Sequence, residues 1–110
     1  MASRNGLSPN WNHDGRRALR LDVSMKAALR KTGTTKFNID VLDMSVMGFR
    51  CETAYNLNTG TRVWLGVPRL EALESIVMWR EGFTYGCAFV TPLHHAVLDH
   101  VVKKFRKKAA

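Results

Sequence analysis

At 110 residues with 45% hydrophobic side chains, the chain has material for one core and not two. A formal net charge of +8 points to an anionic partner, whether nucleotide, nucleic acid or acidic membrane face, and charge alone does not choose among them. No apolar run approaches the roughly 20 residues that would cross a bilayer, and Met1-Ala2-Ser3-Arg4-Asn5 lacks the apolar stretch of a signal peptide, so a cytoplasmic location is expected.

Residues 1–15 are rich in Ser, Asn, Gly and Pro and carry only Leu7 and Trp11 as sizeable apolar side chains, which predicts a flexible N-terminal arm. From Ala18 to Arg30, Leu19, Leu21, Val23 and Met25 alternate with Arg20, Asp22, Ser24 and Lys26, the period of a half-buried strand. Lys31-Thr32-Gly33-Thr34 breaks it. Phe37, Ile39 and Val41 define a second strand that ends at a turn over Asp43 to Gly48, and Phe49 to Thr53 form a third. The loop Asn56 to Gly60 feeds a fourth, Thr61 to Val67; a fifth, about Leu73 to Trp79, and a sixth, Tyr85 to Val90, join around Glu81-Gly82 as a hairpin. Six short antiparallel strands with a turn about every ten residues predict a small, mainly β barrel, which removes exposed edges by closing on itself. Val97, Leu98, Val101, Val102 and Phe105 then recur at helical spacing, with Thr91 as N-cap and Pro92 in the first helical position. The expected organisation is a barrel over about 18–91 and a terminal helix over about 92–108. The helix carries the basic tail Lys103-Lys104-Phe105-Arg106-Lys107-Lys108 at the end its dipole favours.

Two clusters carry chemistry. Arg16-Arg17-Ala18-Leu19-Arg20 reads RxxxR, and Asp43-Met44-Ser45-Val46-Met47-Gly48, after 22 intervening residues, reads DxSxxG. Guanidiniums grip phosphate oxygens in a bidentate way and lie flat on a nucleobase. A carboxylate such as Asp43 accepts paired hydrogen bonds from guanine N1 and N2.

That pair of motifs, in that order and at that separation, resembles the PilZ family of bacterial receptors for the second messenger cyclic di-GMP. The strand Val77-Met78-Trp79-Arg80-Glu81-Gly82 and the glycine-led Tyr85-Gly86-Cys87-Ala88-Phe89-Val90 stand where the family places a tryptophan strand and its partner, so the likeness covers roughly Gly15 to Lys108. The resemblance implies a PilZ-type barrel over 16–108 that binds cyclic di-GMP, performs no catalysis and uses no further cofactor. Arg16 and Arg20 would contact phosphate and guanine with Arg17 as helper, Asp43 and Ser45 the polar edge of guanine, and Gly48 would let the backbone approach. Ligand capture would draw the arm across the barrel and change the face shown to a downstream protein partner. In the family the position before the first arginine influences ligand stoichiometry; here it is Gly15, which favours one molecule.

Each residue also has a plainer role. An isolated RxxxR is usually a solvated basic patch, and Asp43 and Ser45 organise turns, with Gly48 supplying a positive φ. Trp79 on a strand is more often core, and the resemblance sets against that a place where a base packs, so the two readings stand even. Cys51 and Cys87 lack metal-ligand spacing and read as inert core thiols. His94 and His95 have no third ligand at useful spacing, so no metal site is expected. Two other classes compete: a nucleic-acid-binding small barrel, which needs exposed aromatics on one strand face, and an adaptor domain whose nucleotide site has degenerated.

Overall fold

A computed structural model describes residues 19–106. The six predicted strands are present: β1 (Leu21–Lys31), β2 (Phe37–Met44), β3 (Gly48–Glu52), β4 (Arg62–Gly66), β5 (Leu73–Glu81) and β6 (Thr84–Phe89). Every pairing is antiparallel, and the order β1-β2-β3-β6-β5-β4 closes as β4 pairs back to β1, so the barrel has no free edge. The alternation in β1 sends Val23, Met25, Ala27 and Leu29 inward, where they meet Ile39, Val41, Phe49, Leu65, Val77 and Tyr85 in one core. Leu19, which the alternation extends into the first strand, lies outside it and is 71% exposed; the barrel begins at Leu21.

Tyr85 is fully buried, yet its hydroxyl donates to the Tyr55 carbonyl (2.9 Å) and accepts from Leu57 N (3.1 Å). This satisfies a buried polar group and pins the β3–β4 loop to the barrel. Phe37 stacks on Tyr55 with ring centroids 3.9 Å apart, holding the same loop from the β2 side.

The helix α1 spans His95–Phe105, shorter at both ends than the sequence predicts. Thr91 does not cap it and Pro92 is not in its first turn. Val90 N donates to Glu74 O and Leu93 N to Val46 O, so the segment after β6 is held against the sheet and cannot turn helical there. The cap is His94, whose Nδ1 accepts from Ala96 N at 3.1 Å. At the other end Arg106 is extended and bridges to Val23 of β1, which stops the helix; Lys107 and Lys108 lie outside the described residues. The predicted stripe does bury its face: Leu98, Val101 and Val102 join the barrel core, and α1 lies against β1. At about 1.5 to 3 kcal/mol per buried aliphatic side chain, those three residues supply most of what holds a short helix in place.

Candidate ligand site

The second motif folds into the β2–β3 turn. Ser45 N donates to Gly48 O (2.9 Å), and Ser45 Oγ accepts from Met47 N (3.0 Å), the short side-chain-to-backbone bond that favours serine in turns. The turn is then covered: Phe89 N donates to Met47 O and Leu93 N to Val46 O, leaving Ser45 without solvent exposure. Gly48 does not adopt the positive φ that its place in the motif suggests. Its requirement is proximity, because a Cβ there would lie 2.1 Å from the Cys87 carbonyl oxygen of β6. Ser45 and Gly48 therefore build the turn and the β3–β6 seam, and neither presents a free polar group outward.

Asp43 is different. It is 2% exposed, and Arg50 Nε donates to its Oδ2 at 2.8 Å while an Arg20 terminal nitrogen reaches the same oxygen at 3.3 Å. The pairing follows from a bulge: Val41 opposes Cys51, but Asp43 opposes Arg50, so one extra residue on β2 turns Asp43 away from the core face onto the Arg50 face. Its other oxygen, Oδ1, is buried and has no hydrogen-bond partner among the described residues. Buried carboxylate oxygens are normally satisfied.

The row continues around the barrel. Asp22 of β1 opposes Asp43, Arg50 opposes Gly86 of β6, and Gly86 opposes Trp79 of β5 beyond a second bulge. The Trp79 indole lies directly on Gly86, where a Cβ would come within 2.0 Å of Nε1. The glycine is thus the seat of the ring. Trp79 Nε1 is a buried donor with no partner among the described residues, so one surface band ends in an unused acceptor on β2 and an unused donor on β5. Beside it a depression of about 470 Å³ runs over β1, β2 and β3, lined by Asp22, Ser24, Lys26, Asp40, Arg50 and Glu52.

The structure brings Arg20 onto Asp43, sets Trp79 of β5 on Gly86 of β6, and places Ser45 and Gly48 in the β2–β3 turn that follows Asp43. Arg16 and Arg17 lie outside the described residues. Arg50 is the residue that sequence reasoning missed. Its signal was available: a hairpin turning over residues 45–47 sets the residues flanking it, Asp43 and Arg50, near each other.

The remaining candidates have structural employment. Cys51 and Cys87 are free, buried thiols on adjacent strands; their mutual hydrogen bond, and then burial, push the Cys87 thiol well above its ordinary range, so it stays protonated and a poor nucleophile. His94 is the helix cap. Among the described residues no group of three or more His, Cys, Asp or Glu is placed to hold a metal ion, and no helix is long and apolar enough to cross a membrane.

Comparison of the sequence with models of known protein families and with curated proteins finds no match.

Proposed function

We propose that the chain is a receptor of the PilZ type that binds cyclic di-GMP and passes the signal to a protein partner. The observation that carries this reading is Asp43: a buried carboxylate clamped by Arg20 and Arg50 through one oxygen, with the other oxygen unsatisfied among the described residues. A guanine offering N1–H and N2–H would satisfy Oδ1, and the two guanidiniums beside it suit the O6 and N7 edge or a phosphate. Arg16 and Arg17 would add further phosphate contacts, and the half-buried Trp79 supplies an aromatic edge at the far end of the row. The first motif leads directly into β1, so a ligand held between Arg16–Arg20 and Asp43 ties the preceding segment to the barrel wall, and that change of surface is the output. The role is binding; among the described residues no nucleophile with a positioned base accompanies the site.

Isothermal titration with cyclic di-GMP, GMP and cyclic di-AMP at fixed salt tests the reading. Saturable binding of the first, far above the other two, is expected. Arg20→Ala should remove a contact worth roughly 2 to 3 kcal/mol, about 30- to 150-fold in affinity, while Arg62→Ala on β4 should leave affinity unchanged. If Arg20→Ala binds like the parent, or if the three nucleotides bind alike, the assignment fails. Tight binding of an oligonucleotide that falls steeply with salt would instead favour the nucleic-acid barrel.

A further inference from the structure

The outer face of β1, β2 and β4 carries a second concavity that the nucleotide reading does not use. It is a trough of about 560 Å³. Its floor is the cross-strand row Asn38–Ala28–Gly66, three small or short residues side by side. A Cβ at Gly66 would meet only Ala28, at ordinary contact distance, so the floor is open to the outside. One wall is the β4–β5 loop, with Val67, Pro68, Leu70 and Ala72 lining it. The other residues facing the trough include Lys26, Arg30 and Lys36, and among the described residues no carboxylate lines it.

Two details show that this face is shaped rather than merely solvated. Arg30 lies over the Trp64 ring, 4.9 Å from guanidinium carbon to ring centroid, so its charge is held by a flat partner instead of roaming. The acid opposite Trp64, Glu74, is taken up by Arg62, and among the described residues Arg30 has no ion pair. The loop wall is a tight turn, Leu70 N donating to Val67 O, in which Arg69 takes φ +72° where glycine is the usual occupant. The turn places a fourth cation, Arg69, between the wall residues Pro68 and Leu70.

We infer that this trough docks an acidic, extended peptide segment of a partner protein, with an apolar side chain over Ala28 and Gly66 and carboxylates on Arg30 and Lys36. Charge complementarity selects an anion, and the apolar loop wall selects one with apolar side chains. A stacked nucleobase is disfavoured because the Trp64 face it would use is already covered by Arg30. The inference stands independently of the nucleotide site. Ala28 is six residues along β1 from Asp22, about 20 Å in an extended strand, so one strand carries both the proposed ligand site and the docking face.

The test uses the full chain and three fluorescein-labelled probes of about 15 residues: a Glu- and Asp-rich peptide with leucine at intervals, the same peptide with Lys for Glu and Asp, and oligo-dT. The acidic peptide should bind saturably, and Lys36→Glu and the double variant Arg30→Glu/Lys36→Glu should weaken it about three-fold and about ten-fold or more. Lys103→Glu/Lys104→Glu, the same charge change on the helix, should leave it within about two-fold. Exposed Lys36 makes the first variant safe for folding, and amide shifts at Ala28, Gly66 and Ala72 on adding peptide to the parent protein give a second readout. Absence of acidic-peptide binding overturns the inference. So do equal losses in the trough and helix variants, or tighter binding of oligo-dT that depends on Arg30 and Lys36.

Discussion

Asp40 and Asp43 sit three residues apart on one strand, and each meets a cation at close range: Lys26 at 2.6 Å from Asp40 and Arg50 at 2.8 Å from Asp43. Distance does not separate the pairs; burial does. The Lys26 and Asp40 side chains are 83% and 51% exposed, whereas Asp43 is 3% exposed and its arginine 36%. In water two such charges attract by about 1 kcal/mol and lose much of that to side-chain entropy. Away from water the attraction grows, but so does the penalty for any lone pair left unmatched. Asp43 carries that penalty at Oδ1, which is why the same residue type is a surface decoration at one position and a candidate ligand contact at the other.

The largest way to break the contrast is to open the β3–β6 seam that holds the strand carrying Arg50 in the barrel. Gly48 starts β3 against Cys87 and Ala88, and a methyl group placed 2.1 Å from a backbone oxygen has no flexible neighbour to displace. Gly48→Ala is expected to lose about 3 kcal/mol or more, a fall in melting temperature of roughly 12 °C or more. Gly33→Ala is the control, since Gly33 has a positive φ but open space around it, and it should lose only about 1 kcal/mol. Differential scanning calorimetry on both variants decides the matter. If Gly48→Ala melts within a few degrees of the parent, close strand approach is not what fixes the site.

The same glycine marks how far the sequence was legible. Alternation in Val23, Met25, Ala27 and Leu29, and again in Phe37, Ile39 and Val41, located the strands to within a few residues, because a half-buried strand must repeat every second position. The period fails where the face changes. Asp43 has the parity of Val41 and would point inward on a regular strand; the bulge after Val41 turns it to Arg50, and a bulge leaves no trace in a two-residue repeat. That hid the face on which Asp43 lies; its pairing with Arg50 follows from the turn register, Met44 opposite Phe49 and Asp43 opposite Arg50. The start of α1 was misread for a different reason: Thr91-Pro92 is a sound local capping signal, overruled by the tertiary bonds from Val90 to Glu74 and from Leu93 to Val46. Motif residues were legible as a set but not as roles, since Ser45 and Gly48 serve the turn and the seam while Asp43 keeps a buried oxygen with no partner among the described residues.

A double-mutant cycle on Arg50 and Asp43 sharpens the contrast next. Arg50→Ala leaves a buried carboxylate with Arg20 alone, at 3.3 Å, and is expected to lose about 2 kcal/mol in urea unfolding, with cyclic di-GMP affinity falling as well. Asp43→Asn in the Arg50→Ala background should recover part of that loss, because the uncompensated charge is gone. Coupling of about 1 kcal/mol or more is expected. Coupling below about 0.3 kcal/mol would mean that the pair is no more than a surface contact and that Asp43 is buried for reasons of packing.

The smallest expected effect belongs to Lys26 and Asp40, and its smallness is informative. Both side chains are exposed, so Lys26→Ala, Asp40→Ala and the double variant should each shift stability by under about 0.5 kcal/mol, with coupling that vanishes in 1 M salt, where the Debye length is about 3 Å. The pair nevertheless borders the trough, where Lys26 is one of the lining cations. Asp40→Ala therefore releases Lys26 from its carboxylate and should raise acidic-peptide affinity by about two-fold without changing unfolding, whereas Lys26→Ala should lower it by a similar factor. Opposite signs in binding at equal stability would show that this exposed β1–β2 pair acts through its electrostatic field on a partner. Equal signs, or a stability change as large as that of Arg50→Ala, would erase the distinction between the two aspartates.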